Sequence, residues 1–163
     1  MTVQTSYKQR GAKKLARQTS LIPPEWRLKS TPSVSSTPNA LEYLRRTPNL
    51  LTPRELALTE VTDVNILLRK LSSGALSSFE LTRTFAKRAA LVHQLTTCCT
   101  EIFFDEAFAT AKKLDEYLAT TGRTVGPLHG LPVSLKDLFG VQGVDTSIGT
   151  YWTASSNFLA TWP

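Results

Sequence analysis

Apolar positions recur with a helical period in the middle of the chain. Thr62 is placed to cap a helix that ends near Gly74, and a Ser-x-x-Glu pattern from Ser77 to Glu80 predicts the start of a second helix reaching about His93. The expected apolar faces are Val64, Leu67, Leu68 and Leu71 in the first helix and Leu81, Phe85, Ala89 and Val92 in the second. The pattern therefore predicts two consecutive amphipathic helices.

Shorter apolar runs surround a third helical stretch at residues 105–119, which Gly122 ends. Residues 101–104 predict a strand, with the alternative that Phe104 begins the third helix. The apolar run of residues 131–135 predicts another strand, which begins next to a proline. Six of the eight glycines lie between residues 122 and 150, which predicts turns and close backbone approaches there. The pattern thus predicts helices followed by strands and close turns.

Positive charge is concentrated at the N-terminus. Residues 1–46 contain nine Lys or Arg and two Glu, whereas residues 47–163 contain ten basic and eleven acidic residues. Residues 6–19 predict a short basic helix and residues 30–38 an exposed linker. We therefore divide the chain into a basic helix and linker, residues 1–46, and one domain, residues 47–163.

The domain has no basic excess, so nucleic-acid binding is not expected. The basic helix is read as a solvated face, with a membrane or partner role as the weaker alternative.

No apolar stretch is long enough to predict a membrane span, and no secretory signal follows the first basic residues. A cytoplasmic location is therefore expected, with a mitochondrial leader the weaker alternative.

Cys98 and Cys99 are adjacent in the sequence. A disulfide between neighbours would be strained, and their spacing does not match a zinc site, so we expect two small buried side chains. His93 is expected at a helix end and His129 in a turn, and neither has a metal-ligand partner at suitable spacing. No metal or cofactor is expected.

Lys136 is the residue whose position most favours chemistry. It follows the apolar run of residues 131–135, and polar groups at the end of a strand often form active sites in α/β proteins. Partial desolvation there would favour the neutral amine, which can take a proton from a hydroxyl nucleophile. A surface lysine paired with Asp137 or another acid is the alternative, and it is the commoner situation for lysine.

The run Gly126-Pro-Leu-His-Gly-Leu-Pro-Val-Ser-Leu-Lys-Asp137 resembles the lysine-bearing region of the amidase-signature family. Gly143-Val-Asp-Thr-Ser-Ile-Gly149 continues the match. Flanking segments are similar to the fungal acetamidase-like branch, namely Ile22-Pro-Pro-Glu-Trp-Arg27, Leu51-Thr-Pro-Arg-Glu55 and Thr100-Glu-Ile-Phe-Phe-Asp-Glu-Ala107. The resemblance covers most of residues 6–150. It implies an α/β fold with a mixed sheet covered by helices, of which this chain would contain only the N-terminal portion.

The resemblance also implies that Lys136 is the lysine of a triad completed by a cis-serine and a nucleophilic serine. The parent reaction would hydrolyse a small-molecule carboxamide to acid and ammonia, without a cofactor. The family's Gly/Ser-rich serine loop is absent from the sequence, and Ser155 and Ser156 have no such loop around them. We therefore expect the chain alone to be inactive. A partial sheet would leave strand edges and apolar faces uncovered, so we also expect the fragment to be marginally stable or prone to aggregation. A non-catalytic interaction module is the alternative, and a homodimer is left open.

Overall fold

The computed structural model describes residues 3–32 and 39–144, which form mainly α-helices connected by turns. The helices are α1 (Val3–Leu21), α2 (Ala40–Arg46), α3 (Pro53–Thr59), α4 (Val64–Ser72), α5 (Ser78–Thr96) and α6 (Phe104–Thr121), with a 3₁₀ turn at Pro24–Trp26. No helix in the described part of the chain combines the length and apolar character needed to cross a membrane.

The chain divides into two compact units. Of the described residues, one unit contains residues 3–21, 99–102 and 133–144, and the other contains residues 22–98 and 103–132 without the gap at 33–38. The first unit therefore holds α1 and the residue Lys136, and the second holds helices α2 to α6.

In the first unit, α1 confirms the predicted basic helix and extends it at both ends. Its contacts with residues 99–102 are polar. The Gln18 side chain is buried and donates to the carbonyl oxygens of Cys99 and Thr100, at 3.1 and 2.7 Å. The Glu101 carboxylate lies 2.7 Å from Lys14 Nζ, with an Arg17 nitrogen at 3.8 Å. Part of the basic face is thus paired with a carboxylate, whereas the sequence indicated a solvated face.

In the second unit, α4 and α5 form the two predicted central helices. α4 begins one residue later than expected, because the side chain of Asp63, not that of Thr62, accepts a hydrogen bond from the Asn65 backbone at 2.9 Å. The predicted capping of α5 is confirmed in its first half, since Ser77 Oγ accepts from the Glu80 backbone at 3.0 Å. The Glu80 carboxylate is instead engaged by Arg54 of α3. A complete capping box lies at Thr52 and Glu55, before α3.

The hydrophobic core of this unit lies between α3, α4 and the start of α5. It is built from five buried leucines, with partly buried neighbours at its edge: Leu58, Leu67, Leu71, Leu76 and Leu81, then Val61, Leu68, Phe85 and Leu131. The predicted face of α4 is confirmed at Leu67 and Leu71 but wrong at Val64, which is exposed. In α5 the fully buried apolar positions after Leu81 are Ala86, Ala90 and Leu91, because this helix packs against α2, α3 and α6 on several sides. A single stripe does not describe a helix packed in this way.

The predicted strands are not found. Phe104 begins α6, so the helical alternative for residues 101–104 is confirmed and the strand there is wrong. Residues 131–135 are irregular, and the described residues contain no strand, so the mixed sheet of the expected α/β fold is not confirmed. A strand exists only when a second extended segment satisfies its backbone groups, and no such ladder forms within residues 3–32 and 39–144. The expected burial of both cysteines is also wrong, because Cys98 is exposed and Cys99 is half-buried.

Candidate active-site segment

Lys136 lies in a tight turn directly after the apolar run. Its carbonyl oxygen accepts hydrogen bonds from the backbone N–H groups of Leu138 and Phe139, at 2.7 and 3.2 Å. The Lys136 side chain is exposed, so the predicted partial desolvation of its amine is not seen in the described part of the chain. Asp137 is half-buried beside it in sequence. The turn therefore follows an irregular run and leaves the lysine side chain exposed.

The residues that lead to this run form a compact turn at residues 126–130, as the glycine pattern predicted. The His129 backbone donates to the Gly126 carbonyl at 3.2 Å, and the Leu131 backbone donates to the Leu128 carbonyl at 3.1 Å. The Val125 N–H donates to Nδ1 of His129 at 3.3 Å. His129 is therefore a turn residue, as expected, and its ring also accepts a hydrogen bond from Val125, just before the turn.

Gly130 fixes the turn against the helical core. Its φ is +73°, a left-handed conformation that glycine adopts without strain. A Cβ atom at this position would overlap the Ser78 side chain and would lie 3.2 Å from Cδ2 of Leu71. Leu131, the next residue, packs against the leucine core. The chain entering the lysine run is thus held by a backbone contact that only glycine permits.

The first turn of α5, which Gly130 contacts, is itself held by a carboxylate from α6. Asp115 accepts from the backbone N–H groups of Ser78 and Phe79, at 2.6 and 3.0 Å. These are N–H groups of the first turn of α5, which have no partner within the helix, and a negative charge there is favourable. Ser78 is almost completely buried beneath the turn. α6, α5 and the 126–130 turn therefore form one connected support.

The tryptophan of the Ile22-Pro-Pro-Glu-Trp-Arg27 motif has a structural role. Trp26 is buried, with Phe104 and Phe108 edge-on at centroid distances of 6.1 and 6.4 Å. The Arg83 guanidinium lies 5.5 Å from the centre of its ring. Gln94 of α5 donates to the Trp26 carbonyl at 2.9 Å and accepts from the Leu28 backbone at 2.8 Å. The motif thus anchors the segment before α2 to α5 and α6.

An open groove of about 450 Å³ lies over the contact of α3 with α5. It is lined by Thr52, Arg54, Glu55, Phe79, Glu80, Arg83 and Thr84. Although partial burial raises the pKa of Glu55, hydrogen bonds from Lys87 and Thr52 outweigh it and hold that pKa below its usual value. A hydrogen bond from Arg54 lowers the pKa of Glu80 despite some burial. The carboxylates in this groove are paired with cations of the same unit, which gives the groove a structural explanation.

Two histidines in the second unit are buried. Burial lowers the pKa of His93, near the end of α5. The His129 ring is only 4% exposed, and its Nε2 atom has no hydrogen-bond partner among the described residues. Ser155 and Ser156, and residues 145–149 of the extended motif, lie outside the described residues.

The sequence reasoning did not find the roles of Asp115, Gln94 or Gly130. Asp115 lies 37 residues from Ser78, and Gln94 lies 66 residues from Leu28, so no local pattern indicates either pairing. The position of Gly130 within a dense group of glycines was the available signal, and it indicated a close backbone approach without identifying the neighbour.

The sequence model of the Amidase family matches residues 80–158, a range that contains most of α5, all of α6, the 126–130 turn and Lys136. Fungal amidases and acetamidases match most of the chain as well. The chain belongs to the amidase-signature family, as the resemblance of its lysine region indicated.

Individual relatives show how much of such a protein the chain represents. It is 46% identical over 140 residues to "Amidase" of Gibberella moniliformis, covering 83% of this chain and 26% of that protein. It is 43% identical over 144 residues to "Acetamidase" of Emericella nidulans, covering 88% and 25%. The solved structure of a fatty acid amide hydrolase matches with a TM-score of 0.69 and 38% identity, over 77% of this chain and 22% of that one. The described helices therefore have the amidase-signature arrangement, and the chain spans about a quarter of the length of the curated relatives it matches.

Proposed function

We propose that this chain supplies the lysine segment of an amide hydrolase and that Lys136 acts there as the base. The observation that supports this is the position of Lys136 in the sequence, six residues after the buried Gly130, whose turn is fixed on the α4–α5 core. A base must be held in a defined place to be effective, and this turn fixes the entry to its run. The names of the fungal relatives, amidase and acetamidase, support a small carboxamide as substrate.

The proposed chemistry uses a serine pair supplied by the rest of an amidase. The Lys136 amine takes a proton from a cis-serine, which accepts the proton of the nucleophilic serine as that oxygen attacks the amide carbonyl. Collapse of the tetrahedral intermediate releases ammonia, which takes the returned proton, and leaves an acyl-enzyme. Water then releases the acid and regenerates the serine. Backbone N–H groups near the nucleophile would stabilise the oxyanion.

Complementation in trans tests this function. The full chain is produced together with the remaining three-quarters of the Gibberella moniliformis amidase, which supplies that enzyme's serines, and ammonia release from acetamide is measured. We expect the pair to be active and each polypeptide alone to be inactive. Lys136→Ala should lower kcat by about 10²- to 10⁴-fold, because it removes the general base.

Lys113→Ala is the matched control, since Lys113 is an exposed lysine of α6. It should leave activity unchanged. Full activity of the Lys136→Ala pair would contradict the assignment of Lys136. Turnover by the chain alone would contradict the assignment of the serines to the rest of an amidase.

A further inference from the structure

One face of α1 carries four cations in a continuous row. Arg10, Lys13, Lys14 and Arg17 follow the i, i+3, i+4, i+7 spacing, which places side chains one above the other on a helix. Lys8, two positions before Arg10, is turned about 200° around the helix from it, so it lies on the opposite face. The sequence of α1 contains no Asp or Glu, so no acid of the same helix offsets this row, which we call the basic stripe.

The basic stripe already holds one carboxylate. The Glu101 side chain is only 7% exposed, with one carboxylate oxygen 2.7 Å from Lys14 Nζ and the other 3.8 Å from an Arg17 nitrogen. The only other acid among the described residues of this compact unit is Asp137. One bound carboxylate beside four neighbouring cations leaves an excess of positive charge on this face of α1.

The basic stripe is accessible along its length. Arg10 and Lys13 are exposed, and the side chains of Lys14 and Arg17 are 34% and 52% exposed although they contact Glu101. Cations three or four positions apart on a helix repel one another, so further carboxylates would relieve the repulsion that Glu101 leaves. Positive charge and accessibility thus coincide along about 10 Å of the helix.

The chemistry of α1 favours an acidic protein as the partner. A helix that lies on a membrane needs an apolar face. Within residues 8–21 the large apolar side chains are Leu15 and Leu21, which lie about 120° apart around the helix and form no such face. A nucleic-acid interface would combine the basic charge with a recognition motif, which the sequence does not contain. The contact with Glu101 shows that the anion the stripe accepts is a carboxylate.

We propose that the basic stripe is a docking surface for an acidic helix of a partner protein, with glutamates at the same i, i+3, i+4, i+7 spacing. Glutamates spaced in this way lie on one face of their helix and meet the cations of α1 side by side, as the charged positions that flank a coiled-coil seam do. Arg10 and Lys13 bind the incoming carboxylates, and Lys14 and Arg17 are shared with Glu101. The docking surface is independent of the amide hydrolysis proposed above.

Two synthetic peptides test this docking on the full chain. One is a labelled alanine-rich helix with four glutamates at the i, i+3, i+4, i+7 spacing, and the other has the same composition with its glutamates spread around the helix. Fluorescence anisotropy is measured at an ionic strength of about 0.1 M, where exposed charges more than about 10 Å apart are largely screened. We expect the first peptide to bind more tightly, and Lys13→Gln to weaken its binding about two- to fivefold, the size usual for an exposed ion pair.

Lys8→Gln is the matched control, because it removes the same charge from the opposite face of the same helix. Both lysines are exposed, so neither replacement removes a buried contact. Lys8→Gln should leave the affinity for the first peptide unchanged. Equal losses in the two variants, or equal affinities for the two peptides, would show that net charge alone attracts the peptide and would overturn the docking surface.

The choice of a carboxylate partner is tested with two other anions. A DNA duplex and vesicles containing phosphatidylserine are titrated with the full chain under the same conditions. We expect both to bind more weakly than the first peptide. Tighter binding of either one, or no binding of the peptide at all, would contradict an acidic helix as the partner.

Discussion

The α4–α5 hairpin, residues 64–96, and the lysine run, residues 133–139, are both rich in apolar residues, but only the first buries many of them. In the hairpin, Leu71 and Leu81 are 1% and 0% exposed. In the lysine run, Val133 is 68% exposed and Phe139 is 53% exposed, and Leu135 and Leu138 are similar. Large apolar side chains are therefore buried in one region of the chain and exposed in the other.

The difference follows from where the packing partners lie. α3, α4 and α5 are close in sequence and bury each other's leucines, so this core needs no distant segment. The apolar side chains of residues 133–139 would need a covering surface that the described residues do not provide. A contiguous exposed apolar patch typically marks an interface.

The largest expected effect is the loss of unfolding free energy when a leucine of the buried core is truncated. Leu81→Ala removes a fully buried side chain from the leucine core, and we expect it to lower the free energy of unfolding by about 2–5 kcal/mol. Urea denaturation followed by circular dichroism measures this change. A loss of that size would leave little stability in a chain that we predict to be marginal.

Leu138→Ala is the matched control in the lysine run. The residue type and the truncation are the same, but Leu138 is about half exposed, so its effect should stay within about 0.5 kcal/mol. If both variants are destabilised equally, the lysine run is packed as tightly as the hairpin and the contrast between the regions is wrong.

A smaller effect is expected at the turn that links the core to the lysine run. Gly130 and Gly122 both have positive φ values, +73° and +65°, but only Gly130 faces a neighbour that a Cβ would overlap. Replacing each with Ala incurs the same backbone strain, whereas Gly130→Ala must also displace Ser78. We expect it to cost about 1–3 kcal/mol more than Gly122→Ala, as overpacking does. Equal melting temperatures for the two variants would show that the turn is not fixed on α5.

Local pattern was sufficient to predict α4, α5 and α6, because each has a helical apolar period and a nearby end signal: Gly74 after α4, Ser77 before α5 and Gly122 after α6. It was not sufficient for α2 and α3. α3 is only seven residues long and begins at Pro53, and so short a helix gives little periodic signal. The strand predicted at residues 131–135 failed for a different reason. A β-prone run becomes a strand only with a hydrogen-bonded neighbour, and sequence shows the propensity without showing the neighbour.

The sequence predicts candidate site residues only where they belong to one contiguous motif. Lys136 was singled out because its run resembles a family motif, and its exposure agrees with the surface alternative that the sequence left open. Asp115 could not be found in this way, because its role depends on the packing of α6 against the start of α5. His129 was correctly predicted in a turn, but the direction of its two ring nitrogens is a property of the folded chain.

The smallest expected effect is the response of the helical unit to acid. Burial lowers the pKa of His93 from its ordinary value of 6.5, so the folded chain binds this proton less readily than the unfolded chain. As pH falls below 6.5, the unfolded state therefore takes up more protons and stability is lost. Each proton of difference is worth at most about 1.4 kcal/mol per pH unit. Thermal unfolding between about pH 7 and pH 5 should show a falling melting temperature.

His93→Gln removes the titrating group and should flatten that slope between about pH 7 and pH 5. A second loss of stability belongs to a lower window. The pKa values of Glu55 and Glu80 are held below their ordinary value of 4.5, so the stability they provide is lost only as pH falls below it. This second loss should persist in His93→Gln and become smaller when Arg54 and Lys87 are both replaced by Met, since Thr52 still lowers the pKa of Glu55. A slope near pH 6 that survives His93→Gln would assign the response to another group, one outside the packed end of α5.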